Sequence, residues 1–91
     1  MKEIPKDVSA YKKTPVYSNE TVPAGLLKAH TTKEGTWGKI CVKHGSLLYV
    51  IEAEPEERVV LNDSVYGVVE PQIPHHVELN EPVEFFVEFY K

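Results

Sequence analysis

Prolines and glycines interrupt this chain so often that a long helix is excluded. Seven prolines and five glycines are spread over 91 residues. No window of about 11 residues shows the three- and four-residue apolar spacing of an amphipathic helix. The runs between these breakers are short and β-prone, and turn-connected runs of this kind are typical of antiparallel sandwiches and small barrels. The sequence therefore predicts an all-β fold, a small single-domain antiparallel β-barrel or β-sandwich.

The clearest strand signal is the C-terminal run VEFFVEFY, in which apolar and acidic residues alternate. Its valines, Phe85 and Phe89 share one face and its glutamates share the other. Residues 1–12 are interpreted as a lead-in and residues 13–91 as the domain. Gly45 is expected to bend the chain, and the acidic segment Glu52–Glu57 is interpreted as a hairpin loop. The predicted strands are Gly25–His30, Thr36–His44, Ser46–Ala53, Arg58–Asn62, Val65–Glu70, His75–Leu79 and Val83–Tyr90.

Charge and composition exclude several functional classes. The formal net charge of -4 argues against nucleic-acid binding, because phosphate recognition needs clustered Lys and Arg. The longest apolar run, Leu47–Ile51, is far shorter than the roughly 20 residues of a membrane-spanning helix. No signal peptide is recognisable, and a single cysteine, Cys41, cannot form an internal disulfide. Together these features favour a cytoplasmic location.

Strand alternation predicts where the histidines point. His44 and His75 each share a face with the apolar residues of their strands, so both are expected to point inward. His76 shares its face with Glu78 and is expected to point outward, whereas alternation does not settle His30. Three converging neutral imidazoles would suit Zn, Fe, Ni or Cu and leave a coordination position open. The alternative is that an inward histidine is a hydrogen-bonded core residue, because no HxH or HExxH spacing is present.

Two blocks, HTTKEGTWGKICVKHG and EPQIPHHVEL, resemble a known family. They are similar to the small cupin-like domain found at the N-terminus of some tellurite-resistance protein B methyltransferases and alone in short YeaR-like proteins. The resemblance runs from about Lys13 to Tyr90. Its further markers, in chain order, are the PVY segment after Thr14, the Pro23-Ala24-Gly25 corner, His30, the block Gly35–Lys39, Gly45, Glu70-Pro71-Gln72, and His75 followed by Val77.

This resemblance implies a cupin-like, jelly-roll type β-barrel with a metal site. His75 matches a recurrent metal ligand of the superfamily, and His30 falls near the position of the first ligand histidines. His44 is matched in some relatives only. The HxH pair and the glutamate that follows it are missing, and Gly38 stands near the place of that glutamate.

Three more residues are expected to line or support the site: Trp37, Glu70 and Gln72. Glu70 lies close to His75 in sequence and is a candidate for orienting that histidine or for acid–base chemistry.

We therefore expect a cytoplasmic binding domain related to tellurite-resistance or stress-response proteins. It would hold a divalent metal ion, Zn, Fe or Ni, through His30, His75 and His44, with a small molecule or anion as ligand. One alternative is a non-catalytic module that forms homodimers or contacts a protein through Phe86 and Tyr90, with no metal. Another is a metal-dependent enzyme acting on a small molecule or oxyanion. The chain is not expected to be a methyltransferase by itself, because no nucleotide-fold domain is recognisable in it.

Overall fold

Eight short strands form two antiparallel sheets in the computed structural model, which describes residues 1–91. The larger sheet has the order β1-β8-β3-β6, with β2 also paired to β8, and the smaller sheet has the order β5-β4-β7. The all-β prediction is confirmed, and of its two alternatives the sandwich is correct, because the sheets do not close into a barrel. The strands are β1 Ala10–Lys13, β2 Tyr17–Ser18, β3 Trp37–His44, β4 Leu47–Ile51, β5 Glu57–Leu61, β6 Gly67–Val69, β7 His75–Glu78 and β8 Glu84–Tyr90.

The chain passes repeatedly from one sheet to the other, and Gly45 makes the crossing from β3 to β4. Gly45 lies between β3 of the larger sheet and β4 of the smaller one, and its φ is 76°. A Cβ atom there would collide with the carbonyl oxygen of Pro82. Both the left-handed backbone and the close approach require glycine, so the predicted bend is confirmed.

The core lies between the two sheets and is built from alternate residues of each strand. Phe85 and Leu61 have no exposed surface, and Tyr49 is 1% exposed. The hydroxyl of Tyr49 donates a hydrogen bond of 2.9 Å to the carbonyl oxygen of Val68, so this buried polar atom is satisfied. In β8 the first two residues alternate as predicted, since Glu84 is exposed and Phe85 is buried, and the remaining residues are half-buried.

Two local predictions differ from the structure. Gly25–His30 was predicted as a strand, but Ala24–Leu27 forms a 3-10 turn in which the amide of Leu26 donates to the carbonyl of Pro23 at 3.0 Å. The strand prediction was wrong because the proline corner continues into a tight turn before the chain extends. The larger sheet also begins within the predicted lead-in, because β1 pairs with the end of β8, Ala10 opposite Tyr90.

The one helical element is this four-residue 3-10 turn. No helix has the length and hydrophobicity needed to span a bilayer.

Candidate functional site

A pocket of about 230 Å³ lies between the sheets beside the 3-10 turn. Eight of its 14 lining residues are hydrophobic, and none is Asp, Glu, Lys or Arg. Residues of β3, β6, β7 and β8 form its walls, and Leu26 of the 3-10 turn contributes one side. The titratable residues of the lining are Tyr17 and two histidines, His30 and His75. An apolar pocket with a few convergent polar groups is the usual form of a small-molecule site.

The two histidines are held next to each other by the backbone. His30 and His75 exchange both main-chain hydrogen bonds, each 3.0 Å long, so His30 adds an isolated bridge to the edge of the smaller sheet. Their ring centroids are 4.1 Å apart with planes inclined at 56°. His75 is 4% exposed, and its ring packs edge to face with the ring of Tyr49 at a centroid distance of 5.8 Å. The predicted inward orientation of His75 is confirmed.

Both imidazoles are oriented by backbone carbonyl groups. Nδ1 of His30 lies 2.9 Å from the carbonyl oxygen of Lys28, and Nδ1 of His75 lies 3.0 Å from that of Ile73. A carbonyl oxygen only accepts hydrogen bonds, so each Nδ1 carries a hydrogen. In the neutral ring Nε2 is then a lone-pair acceptor, which is the tautomer found when histidine binds a metal or accepts a hydrogen bond.

Burial favours the neutral form of His75. Removal from water lowers the pKa of His75, and the adjacent His30 acts in the same direction, while the hydrogen bond to Ile73 opposes both in part. The site therefore presents a neutral acceptor near neutral pH.

His44 does not join these residues. It was predicted to point inward with Val42, but the pairing of β3 with β8 shifts register between Val42 and His44, and His44 is exposed. The inward orientation was wrong because this irregularity breaks the alternation on which it depended. His44 lies instead in an open, mainly polar hollow with Glu81 and Glu84. No group of three or more His, Cys, Asp or Glu side chains in the structure could hold a metal ion.

The three expected supporting residues also lie outside the pocket lining. Trp37 is paired with Tyr90 and alternates with the buried Gly38 and Ile40, so it lies on the outer face of the larger sheet. Glu70 lies 3.5 Å from Nζ of Lys2, and Gln72 is exposed with a φ of 63°. Sequence proximity to His75 did not bring Glu70 or Gln72 into the pocket.

Several lining residues were missed as site residues although their segments were recognised. Tyr17 belongs to the PVY segment and Pro23 to the Pro-Ala-Gly corner, and both line the pocket. Thr31 and Thr32 follow His30 directly and also line it. The segments that carry the family resemblance could therefore have identified these residues from sequence.

His76 occupies a different environment from its neighbour. Nδ1 of His76 lies 2.7 Å from Oε2 of Glu52, and Nε2 lies 2.9 Å from Oε2 of Glu78. The hydrogen bond to Glu78 is the largest cause that raises the pKa of His76. The predicted outward position beside Glu78 is confirmed, and this ring favours the protonated state while His75 favours the neutral one.

Sequence comparison gives relatives of two lengths. The chain is 34% identical over 89 residues to the probable S-adenosyl-L-methionine-dependent methyltransferase TehB of Haemophilus influenzae, covering 92% of this chain and 31% of that protein. It is 25% identical over 99 residues to the uncharacterized protein YeaR of Escherichia coli K12, covering 99% of this chain and 83% of that protein. The chain thus spans less than a third of TehB and most of YeaR.

Solved structures agree with the observed fold. A crystal structure of a protein from Escherichia coli K12 superposes with a TM-score of 0.87 at 24% identity, covering 100% of this chain and 97% of that one. TehB from Haemophilus influenzae superposes with a TM-score of 0.83 at 31% identity, covering 93% of this chain and 32% of that one. The family model described as the TehB-like domain matches residues 12–87. This match covers most of the chain, which therefore belongs to the TehB-like domain family.

Proposed function

We propose that this TehB-like domain is a small-molecule-binding module whose ligand occupies the pocket beside His30 and His75. The observation that carries the proposal is the pocket itself, in which apolar walls from both sheets surround two adjacent imidazoles with their Nε2 atoms unbonded to the protein. Such a combination supports binding, because apolar walls supply affinity and a few fixed polar groups supply orientation.

The size of the pocket limits the ligand. At about 230 Å³ it is larger than the engineered cavity of roughly 150 Å³ that binds benzene, and smaller than most pockets for drug-sized ligands. We therefore expect a molecule of about one ring. Similarity to TehB supports a role related to tellurite resistance or stress response. This similarity covers 31% of TehB, so the methyltransferase activity in the name of that protein is not attributed to this chain.

Toluene is a suitable first probe, because it requires only an apolar cavity of the right size. We expect saturable amide shifts of Val69, Val77 and Val87 in ¹H–¹⁵N spectra, since these residues line the pocket. Leu26 lines the pocket, so the larger side chain of Leu26→Trp should fill it and reduce these shifts at least fivefold. Val60→Trp is the matched control, because Val60 is 59% exposed and does not line the pocket.

Shifts spread over the surface, or unchanged in Leu26→Trp, would contradict a pocket site. An absence of any saturable shift up to the solubility of toluene and of a polar single-ring probe such as phenol would contradict the proposed function as a whole.

Metal binding is a second candidate, favoured by the orientation of both rings through Nδ1. Metal-ligating histidines usually donate their other ring N–H to a carbonyl or carboxylate. A structural zinc site has four protein ligands and a catalytic one has three. Two imidazoles converge here, so the residues present fit a Zn, Fe or Ni site only in part. His30 and His75 would hold such an ion, which would act as a Lewis acid with its other positions open to small ligands.

Elemental analysis and thermal unfolding with added Zn, Ni and Fe test this candidate. If metal binds, His75→Ala should lose it while His76→Ala retains it, because His76 points to the opposite face. Metal binding is ruled out if the purified protein contains no metal and its melting temperature is unchanged by all three ions.

A further inference from the structure

We infer that the pocket selects a neutral, mainly apolar molecule that donates an O–H or N–H hydrogen bond to the paired imidazoles, and that it discriminates against anions. This inference rests on the proposed function, because it names the ligand class of the same pocket.

The ring nitrogens define what the pocket offers a ligand. The Nδ1 hydrogens of His30 and His75 are used by the carbonyl groups of Lys28 and Ile73, at 2.9 and 3.0 Å. What remains on each neutral ring is the Nε2 lone pair, which accepts hydrogen bonds and donates none. A ligand that reaches these atoms must therefore bring its own hydrogen.

The hydroxyls of Thr14 and Thr32 do not add hydrogen-bond donors to this site. Oγ1 of Thr14 donates to the carbonyl of Pro15 at 2.9 Å and accepts from the amide of Val87 at 3.0 Å. Oγ1 of Thr32 donates to the carbonyl of Thr36 at 2.7 Å. Both hydroxyl hydrogens are thus occupied within the protein. The other lining hydroxyls, those of Tyr17 and Thr31, donate and accept equally well and do not select for an anion.

No charge in the lining compensates an anionic ligand. None of the 14 lining residues is Lys or Arg. An anion in the pocket would lose its hydration and face two acceptor lone pairs, and burial of an unpaired charge is strongly unfavourable. A neutral donor exchanges its hydrogen bond to water for one to a ring nitrogen that has no protein partner, which costs far less than the desolvation of a charge.

Three single-ring probes separate these properties. Phenol has one O–H donor, toluene has the same shape without a donor, and benzoate carries a negative charge. The titrations are done at about pH 8, where phenol is neutral and unperturbed imidazole is neutral. We expect phenol to bind about fivefold more tightly than toluene, the effect of one hydrogen bond of average strength, and benzoate to bind more weakly than both.

Matched variants connect this preference to the two rings. In His30→Leu and His75→Leu the preference for phenol over toluene should fall to about twofold or less. His44→Leu is the control, because His44 is exposed and does not line the pocket. A measurement on the unmodified protein covers the case in which a variant does not fold. Phenol should shift the imidazole Nε2 resonances of His30 and His75 in ¹⁵N spectra and leave that of His44 unchanged.

The outcomes separate this inference from the proposed function. If toluene binds and phenol binds no more tightly, or benzoate binds more tightly than phenol, the inference is overturned and the proposed function stands. Unshifted Nε2 resonances on saturation with phenol also overturn the inference alone. If no probe shifts any pocket residue, both are overturned.

Discussion

His75 and His76 are neighbours in the chain, and their rings face opposite environments. The His75 ring lies beside the apolar pocket, where burial lowers its pKa. The His76 ring lies between the carboxylates of Glu52 and Glu78, and the bond to Glu78 raises its pKa most. Because successive side chains of a strand alternate, one step along β7 separates a ring whose pKa is lowered from a ring whose pKa is raised.

We predict that His76→Gln destabilises the protein in a pH-dependent manner. A raised folded-state pKa contributes stability that is fully present below the unfolded pKa, about 6.5, and is lost as the pH rises through the folded value. The destabilisation in urea should therefore be larger at about pH 5.5 than at about pH 9. The lowered pKa of His75 has the opposite dependence, but it is present in both proteins and largely cancels in the difference. An equal loss of stability at both pH values would show that His76 contributes by packing alone.

At the scale of the strands, alternation predicts orientation wherever the pairing is regular. The faces of β8 and β7 could be predicted from sequence, because β8 pairs regularly with β3 from Phe85 to Tyr90 and β7 pairs regularly with β4. The face of His44 could not, because the shift after Val42 arises from pairing with a strand 40 residues later along the chain. His30 could not be placed either, since its position depends on its bridge to His75.

Gly67 of β6 shows how closely the two sheets approach. A Cβ atom at Gly67 would lie 2.7 Å from Cδ1 of Leu61 and 3.1 Å from the ring of Tyr49, and both of these side chains are buried. Neither neighbour has free space, so we predict that Gly67→Ala costs about 1–3 kcal/mol in the free energy of unfolding.

Gly25→Ala is the control for this substitution. Gly25 lies in the 3-10 turn, and a Cβ atom there would have nothing within 4 Å. Its effect on the unfolding free energy should be within about 0.5 kcal/mol. Equal effects of the two substitutions in urea denaturation would contradict the close approach of β6 to the smaller sheet.

For the molecule as a whole, the pocket and the core are parts of one space between the sheets. Phe85 belongs to both, since it has no exposed surface and also lines the pocket. Tyr17 of β2 packs against Phe85 edge to face at 5.8 Å, which connects the N-terminal strands to the core. A domain of this size has only about 5–15 kcal/mol of stability, so one such residue accounts for a large share of it.

We predict that Phe85→Ala costs about 3–5 kcal/mol in the free energy of unfolding, because it leaves a cavity between the sheets. Phe86→Ala is the control, because it removes the same atoms from the next residue, on the outer face of β8. Phe86 is half-buried, and the centroid of its ring lies 5.5 Å from Nζ of Lys13. Its cost should be about 1 kcal/mol. Denaturant unfolding followed by the fluorescence of the single tryptophan, Trp37, measures both. If Phe86→Ala costs as much as Phe85→Ala, and the cost grows with protein concentration, the outer face packs in a homodimer, because only association makes stability depend on concentration.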